Sequence, residues 1–277
     1  MGSSFSILYA MCLYGMYRAS LLKIPCYKLM FFNGVLDIVD LFLISSAMAY
    51  FHFTGAVFCS SPVLDWIAGH FAYSFWLGSS FNCMVLAINR FVEMIPSVAF
   101  LRFLFRGKIL YIWIVFSVAY MLMAWFALRP IPFNSAVSAF IATPMIRDFA
   151  WEYLHFTSAY QLIHNGSLLI VMTTTYTILC YHLYVSRRRT GRTENYRIFM
   201  QVFLICLSTG LTAIGYVLLG FVIVPRSVVI AAHVFWQLSH GVHAIIYLCF
   251  NKRIRKEVMG TFLKSSYVEQ STGTAIT

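Results

Sequence analysis

Ionisable side chains embedded in apolar stretches are the chemical signature of this 277-residue chain. Asp37 and Asp40 stand three apart in one such stretch, on neighbouring positions of one helical face. Asn89-Arg90-Phe91 closes a second, with Glu93 just beyond. A third holds His233, Gln237, His240, His243 and Tyr247. Counted back from Tyr247, the other four lie 14, 10, 7 and 4 positions away, which is one stripe at 3.6 residues per turn. Groups of this kind are expensive in hydrocarbon, so they mark function by default and should face a bundle interior. His240 and His243, three apart, are spaced to share a metal ion. A hydrolytic zinc wants three converging protein ligands and an open water position. Neither a His-Glu-x-x-His nor a His-x-x-x-His pair is present.

The elements that must position these residues are membrane helices. Apolar runs cover Ser3–Tyr17, Leu29–Phe53, Ile67–Val92, Ile109–Leu128, Ala159–Tyr184, Ile198–Val224 and Val228–Phe250. Crossing the hydrocarbon core takes about 20 apolar residues, and all but the first run meet that length. The first reaches it only if Arg18 snorkels and Leu21–Leu22 are included, or if residues precede Met1. With no water to satisfy the backbone inside a bilayer, each run is expected to be a helix. No basic n-region or small-residue cleavage pattern marks a signal peptide.

Charge placement orients the bundle. The connections after runs one, three and five, with the tail, hold Arg18, Lys23 and Lys28; Arg90, Arg102, Arg106 and Lys108; Arg187, Arg188, Arg189, Arg192 and Arg197; and Lys252, Arg253, Arg255, Lys256 and Lys264. The opposite connections hold only Arg129, Arg147 and Arg226. The positive-inside rule puts the first set in the cytoplasm, with the N-terminus outside and the C-terminus inside. The net charge of +11 therefore serves anionic inner-leaflet lipid, not nucleic acid. Hydrophobic residues make up 61% of the chain and charged ones 10%, far from a soluble domain.

The resulting fold class is all-α: a seven-transmembrane helix bundle spanning residues 1–264, with a short cytoplasmic amphipathic eighth helix and a disordered tail at 265–277. Ile254, Val258, Phe262 and Leu263 recur near helical spacing, as expected of a helix lying on the inner leaflet. The long connection from Arg129 to Ser158 carries Pro130, Pro132 and Pro144 and is expected to be irregular in part. Of the seven cysteines only Cys59 faces outside, so no disulfide is expected. Asn165-Gly-Ser has glycosylation spacing but sits inside a span.

These residues carry a resemblance. Seven helices with Arg90 ending the third resemble a G-protein-coupled receptor, and Leu36-x-x-x-Asp40-Leu41 is similar to the second-helix motif of the rhodopsin-like class. Cys59 to Pro62, Trp76, Cys83, Asn89-Arg90, Trp236-Gln-Leu-Ser-His-Gly241 and Ile246-Tyr-Leu-Cys-Phe-Asn-Lys-Arg-Ile-Arg255 resemble nematode serpentine chemoreceptors, class T above the others. The chain departs from the wider class where Asn89 replaces an acidic residue, His243-Ala244 replaces Asn-Pro, helix six lacks proline, and Asp65 occupies the usual disulfide position.

The resemblance implies a chemosensory receptor, not an enzyme, without cofactor or metal, in the plasma or ciliary membrane. It would bind a small molecule inside the bundle and signal to a heterotrimeric G protein. Tyr73, Trp76, His233 and Gln237 would line the ligand pocket. Arg90, Tyr247, Arg187 and Arg188 would serve coupling, with Tyr247 stabilising the open state opposite Arg90. Asp40, Ser79 and His243 would form a central polar cluster, an Asp40–His243 pair standing in for the sodium ion many receptors bind, while Asp37 turns toward helix one or lipid headgroups. Each feature also has a plainer reading: Arg90 as a snorkelling anchor, Asp40 as a polar packing contact, Tyr73 and Trp76 as core. The rival functions are a membrane metal hydrolase and a small transporter. The transporter reading lacks inverted repeats and broken helices. A retinal pigment is excluded because run seven has no lysine.

Overall fold

The computed structural model describes residues 2–142, 151, 155, 158–190, 196–219 and 225–260, without the side chains of residues 187–190, 196 and 198. The seven apolar runs become α1 Gly2–Arg18, α2 Pro25–Thr54, α3 Pro62–Met94, α4 Ile109–Ala127, α5 Ala159–Thr190, α6 Tyr196–Leu219 and α7 Arg226–Phe250. Residues 252–260 form α8. Among the described residues, α2 to α7 each contain a stretch long and apolar enough to cross a membrane. Proline opens α2 and α3 at the first helical turn, where its missing N–H is no loss. The helices run up and down in chain order, so basic residues gather at one end of the bundle, the basic end.

α3 is the axial helix. It packs against α2, α4, α5 and α6, while α7 joins α1, α2 and α6. Its buried face therefore runs nearly all round, and its most buried window is the densest of any span. By contrast α4 buries only Leu110, Ser117 and Ala124, and turns Tyr111, Ile112, Val115, Phe116 and Phe126 outward, the composition of a lipid-facing helix.

The expected short eighth helix follows α7, and part of its apolar face is covered by α1. Ile254 and Val258 are buried against α1, where Gly15 leaves room: a Cβ there would lie 3.2 Å from the Ile254 carbonyl. Asn251 caps the helix, its Oδ1 accepting the N–H groups of Arg253 and Ile254. Phe262, Leu263 and the tail at 265–277 lie outside the described residues.

The end opposite the basic connections is closed by a hairpin, Phe133–Asn134 paired antiparallel with Ala139–Phe140. Pro130 and Pro132 lie just before it, Pro144 falls outside the described residues, and Asn134 Oδ1 accepts the Ala136 N–H to build the turn. Phe133 stacks on Phe51 at 5.4 Å, and Phe140 meets Trp236 edge-on. Two features of α3 seat the hairpin strand. Asp65 Oδ1 accepts the Phe133 N–H at 2.6 Å, at the position where the rhodopsin-like class has its cysteine. Gly69 lets the Ile131 carbonyl approach: a Cβ would stand 2.5 Å from that oxygen. All seven cysteines are free, so this tether is non-covalent.

Asp65→Ala leaves the Phe133 N–H without its acceptor and should cost about 1–3 kcal/mol, seen as a lower melting temperature of the purified chain in detergent. Asp65→Asn keeps an acceptor oxygen and should retain most of it. Equal melting of wild type and Asp65→Ala would show that the tether contributes nothing.

Candidate functional site

Near mid-bundle α2 turns Asn33, Asp37 and Asp40 inward, and α7 answers with His240, His243 and Tyr247. Asp37 is fully buried and accepts four hydrogen bonds. Tyr9 Oη and Asn33 Nδ2 donate to Oδ2 at 2.8 and 2.9 Å. His243 Nδ1 lies 2.8 Å from the same oxygen, and His240 Nδ1 lies 2.7 Å from Oδ1. A carboxylate only accepts, so the proton on each ring sits at Nδ1. Tyr9 reaches this point because α2 has Gly34 beside it, where a Cβ would lie 2.6 Å from the Tyr9 ring.

The network continues sideways. Asn33 Oδ1 accepts from Asn82 Nδ2 on α3, which also donates to the Leu29 carbonyl. Tyr247 Oη lies 3.4 Å from Tyr9 Oη, and His243 Nε2 lies 3.2 Å from Ser208 Oγ on α6. One carboxylate thus organises groups from α1, α2, α3, α6 and α7.

Three sequence expectations need correction. His243 pairs with Asp37, not with Asp40. α2 and α7 run in opposite directions, so the more basic-end histidine meets the more basic-end aspartate, one turn of about 5.4 Å from the expected register. Asp37 does meet α1, through Tyr9, but as the centre of the cluster. Ser79 closes on its own helix at the Trp76 carbonyl, 3.3 Å away, and Asn82 supplies the α3 contribution. Tyr247 lies against Tyr9 in the core.

Asp40 is 4% exposed. Its Oδ2 stands 3.6 Å from His240 Nε2, and its Oδ1 has no hydrogen-bond partner among the described residues. Toward the hairpin lies a narrow crevice whose walls include Trp76, Tyr216, Trp236 and Phe140. The four residues assigned to a ligand pocket all turn into the bundle. Trp76 lines the crevice and donates to Asn165 Oδ1 at 3.1 Å, and Tyr73 is buried beside Ser158. His233 bonds Tyr216 at 3.1 Å, and His233 and Gln237 both close on the Met48 sulfur. The sequence did not assign Tyr216, Trp236 or Phe140 to the pocket, and Trp236 entered only through the family resemblance. The helical spacing of Trp236 from His233 and His240 was the available signal.

At the basic end Arg90 is buried, with Nη2 on Asn89 Oδ1 at 2.7 Å. Beside this end Tyr27 Oη accepts from Asn251 Nδ2 and donates to Gln201 Oε1 at 3.4 Å, joining α2, α6 and the start of α8. Arg187 and Arg188 fall at the end of α5, and their side chains lie outside the described residues. Among the described residues, no group of three or more His, Cys, Asp or Glu is placed to hold a metal ion.

The two aspartates should behave oppositely. Asp37→Ala strands four buried donors and should cost about 3–5 kcal/mol, measured as lost surface expression and a lower melting temperature. Asp40→Asn removes a buried carboxylate whose Oδ1 has no hydrogen-bond partner among the described residues, and should leave the melting temperature unchanged or raise it. The reverse order would sink this assignment of the hub.

Comparison with known proteins agrees with the geometry. The family model for serpentine type 7TM GPCR chemoreceptor Srt matches residues 1–271. The chain is similar to "Serpentine receptor class T-55" of Caenorhabditis elegans, 25% identical over 238 residues. That match covers 84% of this chain and 64% of the relative, so the chain spans somewhat under two-thirds of the relative's length. A seven-helix bundle with a polar hub on α2 and α7, an arginine ending α3 and a family match over nearly its whole length place this chain in the Srt family of serpentine seven-transmembrane chemoreceptors.

Proposed function

We propose that the chain is a chemosensory receptor, not an enzyme, that binds a small molecule in the crevice beneath the hairpin and signals to a heterotrimeric G protein at its basic end. The observation that carries this reading is the crevice itself. It is apolar, walled by aromatic rings, and bordered through Tyr216 and Trp236 by the polar stripe of α7. Small-molecule sites have that composition: apolar walls with a few convergent polar groups. Tyr73, Trp76, His233 and Gln237 belong to the binding region.

The basic end is the cytoplasmic end, in a plasma or ciliary membrane, with the N-terminus outside. Arg90 contacts the G protein when α6 moves outward, and Arg187 and Arg188 flank that opening. Tyr247 leaves Tyr9 to stabilise the open state. The motion is a shift between two populations of one bundle, biased by whichever state holds the ligand better.

The test is expression of the full chain with a panel of G proteins, challenged with a library of small odorants and read by second messenger. Arg90→Ala should abolish the response at normal surface expression. An undiminished response in Arg90→Ala would remove Arg90 from coupling. Trp236→Ala should raise the effective agonist concentration at least tenfold, the equivalent of about 1.4 kcal/mol. An unchanged dose–response would place the ligand elsewhere.

A further inference from the structure

The outer face of α4 carries one straight stripe. Counted from the N-cap residue Lys108, the positions 3, 7, 10 and 14 further on are Tyr111, Val115, Val118 and Leu122, and all five side chains are exposed. At 3.6 residues per turn those offsets fall on one side of the helix. From Tyr111 to Leu122 the stripe runs about 16 Å, half of a hydrocarbon core about 30 Å thick. It is therefore as long as one leaflet is deep.

The basic-end head of the stripe is cationic. Lys28 reaches across from α2, donates to Tyr111 Oη at 3.4 Å and holds its ammonium 5.1 Å from the centre of that ring. Lys108 lies one turn before Tyr111 on the same face, and Arg106 is exposed just ahead of it. Glu93, at the same end, is 3.7 Å from the guanidinium of Arg102. Among the described residues no carboxylate forms an ion pair with Lys28, Arg106 or Lys108. Tyr111 Oη accepts from Lys28 and so keeps its own proton to donate. Cations without a counter-charge, set at the head of an apolar stripe one leaflet long, complement a molecule with an anionic head and a hydrocarbon tail. A soluble protein partner would meet the cations but could not follow the stripe into hydrocarbon.

We propose that an anionic phospholipid docks on this face, its phosphate held by Lys28, Lys108 and the Tyr111 hydroxyl and one acyl chain lying along Val115, Val118 and Leu122. Arg106 adds charge at the rim. The site is discrete, unlike the diffuse attraction that the remaining basic residues exert on an anionic leaflet.

The test is native mass spectrometry of the full chain from mixed micelles of phosphatidylglycerol and phosphatidylcholine with the same acyl chains, with melting temperatures in nanodiscs of either lipid as a second readout. One phosphatidylglycerol should be retained in preference to phosphatidylcholine, and phosphatidylglycerol should raise the melting temperature. Lys28→Gln combined with Lys108→Gln should lower the preference about tenfold or more. Arg18→Gln combined with Lys252→Gln removes the same charge elsewhere at the basic end and should leave the preference in place. Tyr111→Phe keeps the ring and should weaken it by less than the lysine pair. Should the lysine pair fail to fold, Lys108→Glu alone, at an exposed position, should abolish the preference. Inorganic phosphate and glycerol phosphate should neither compete nor raise the melting temperature, which separates the lipid from its head alone. No preference for phosphatidylglycerol, an equal loss in both double variants, or free phosphate acting as well as lipid would each overturn the proposal. So would an unchanged lipid preference in the lysine variants together with a lost G-protein response, which would give the face to the G protein.

Discussion

Asp37 sets the terms for the rest of the bundle, because a buried carboxylate away from water has to find donors for both of its oxygens. Here the donors come from three helices: Tyr9 on α1, Asn33 on α2 itself, His240 and His243 on α7. No one of those helices can slide along its axis by a turn without emptying part of the acceptor set. The cluster therefore fixes the register of α1, α2 and α7 in a way that apolar packing in lipid does not, since hydrocarbon side chains gain little by meeting each other instead of lipid tails. Gly34 belongs to the same device: it removes the side chain that would keep Tyr9 from its aspartate.

The hairpin end follows a different logic. A β-hairpin of two-residue strands is not stable alone, and this one is held by what it lies on. Phe133 is sandwiched against Phe51, Phe140 rests on Trp236, and Asp65 takes the one strand N–H that faces α3. A hydrogen bond in place of a covalent bridge makes the lid of the crevice the more easily remodelled part of the molecule. On the proposed reading, that would let a ligand enter from above while the hub below stays assembled.

Much of this was legible in the sequence, and the losses have physical causes. Span positions, the interior-facing stripe of α7 and the burial of Tyr73, Trp76 and His233 follow from composition and a 3.6-residue period. Periodicity says which face of a helix points inward, but it is silent on how far one helix is shifted against its neighbour. That silence is why Asp40 was paired with His243 when Asp37 holds it, and why Ser79 was placed in a cluster that Asn82 serves. Tyr9 was missed because it sits in the shortest and least apolar-looking span, where nothing marks a tyrosine as more than packing. The amphipathic pattern of α8 was read correctly as a face, yet a face can be covered by lipid or by protein. Only Gly15, on another helix, decides for protein.

The polar contacts also say which helices can move together. Three residues of α6 spaced by four, Ser208, Thr212 and Tyr216, meet α7 at His243 Nε2, the Phe235 carbonyl and His233 Nδ1. That ladder runs from the hub to the crevice along one seam. α6 has no proline to hinge on, so a swing of its basic end either carries α7 along or opens the ladder. The constraint at the other end is weaker: Gln201 reaches Tyr27 through a single 3.4 Å contact. Since α7 is pinned to Asp37 by two histidines, the cheaper motion breaks the Gln201 contact and pivots α6 about the ladder, leaving α7 in place. On the proposed receptor reading, the hub would act as the fixed point, the crevice as the place where a ligand pushes α6 through Tyr216, and the basic end as the place where the push is felt.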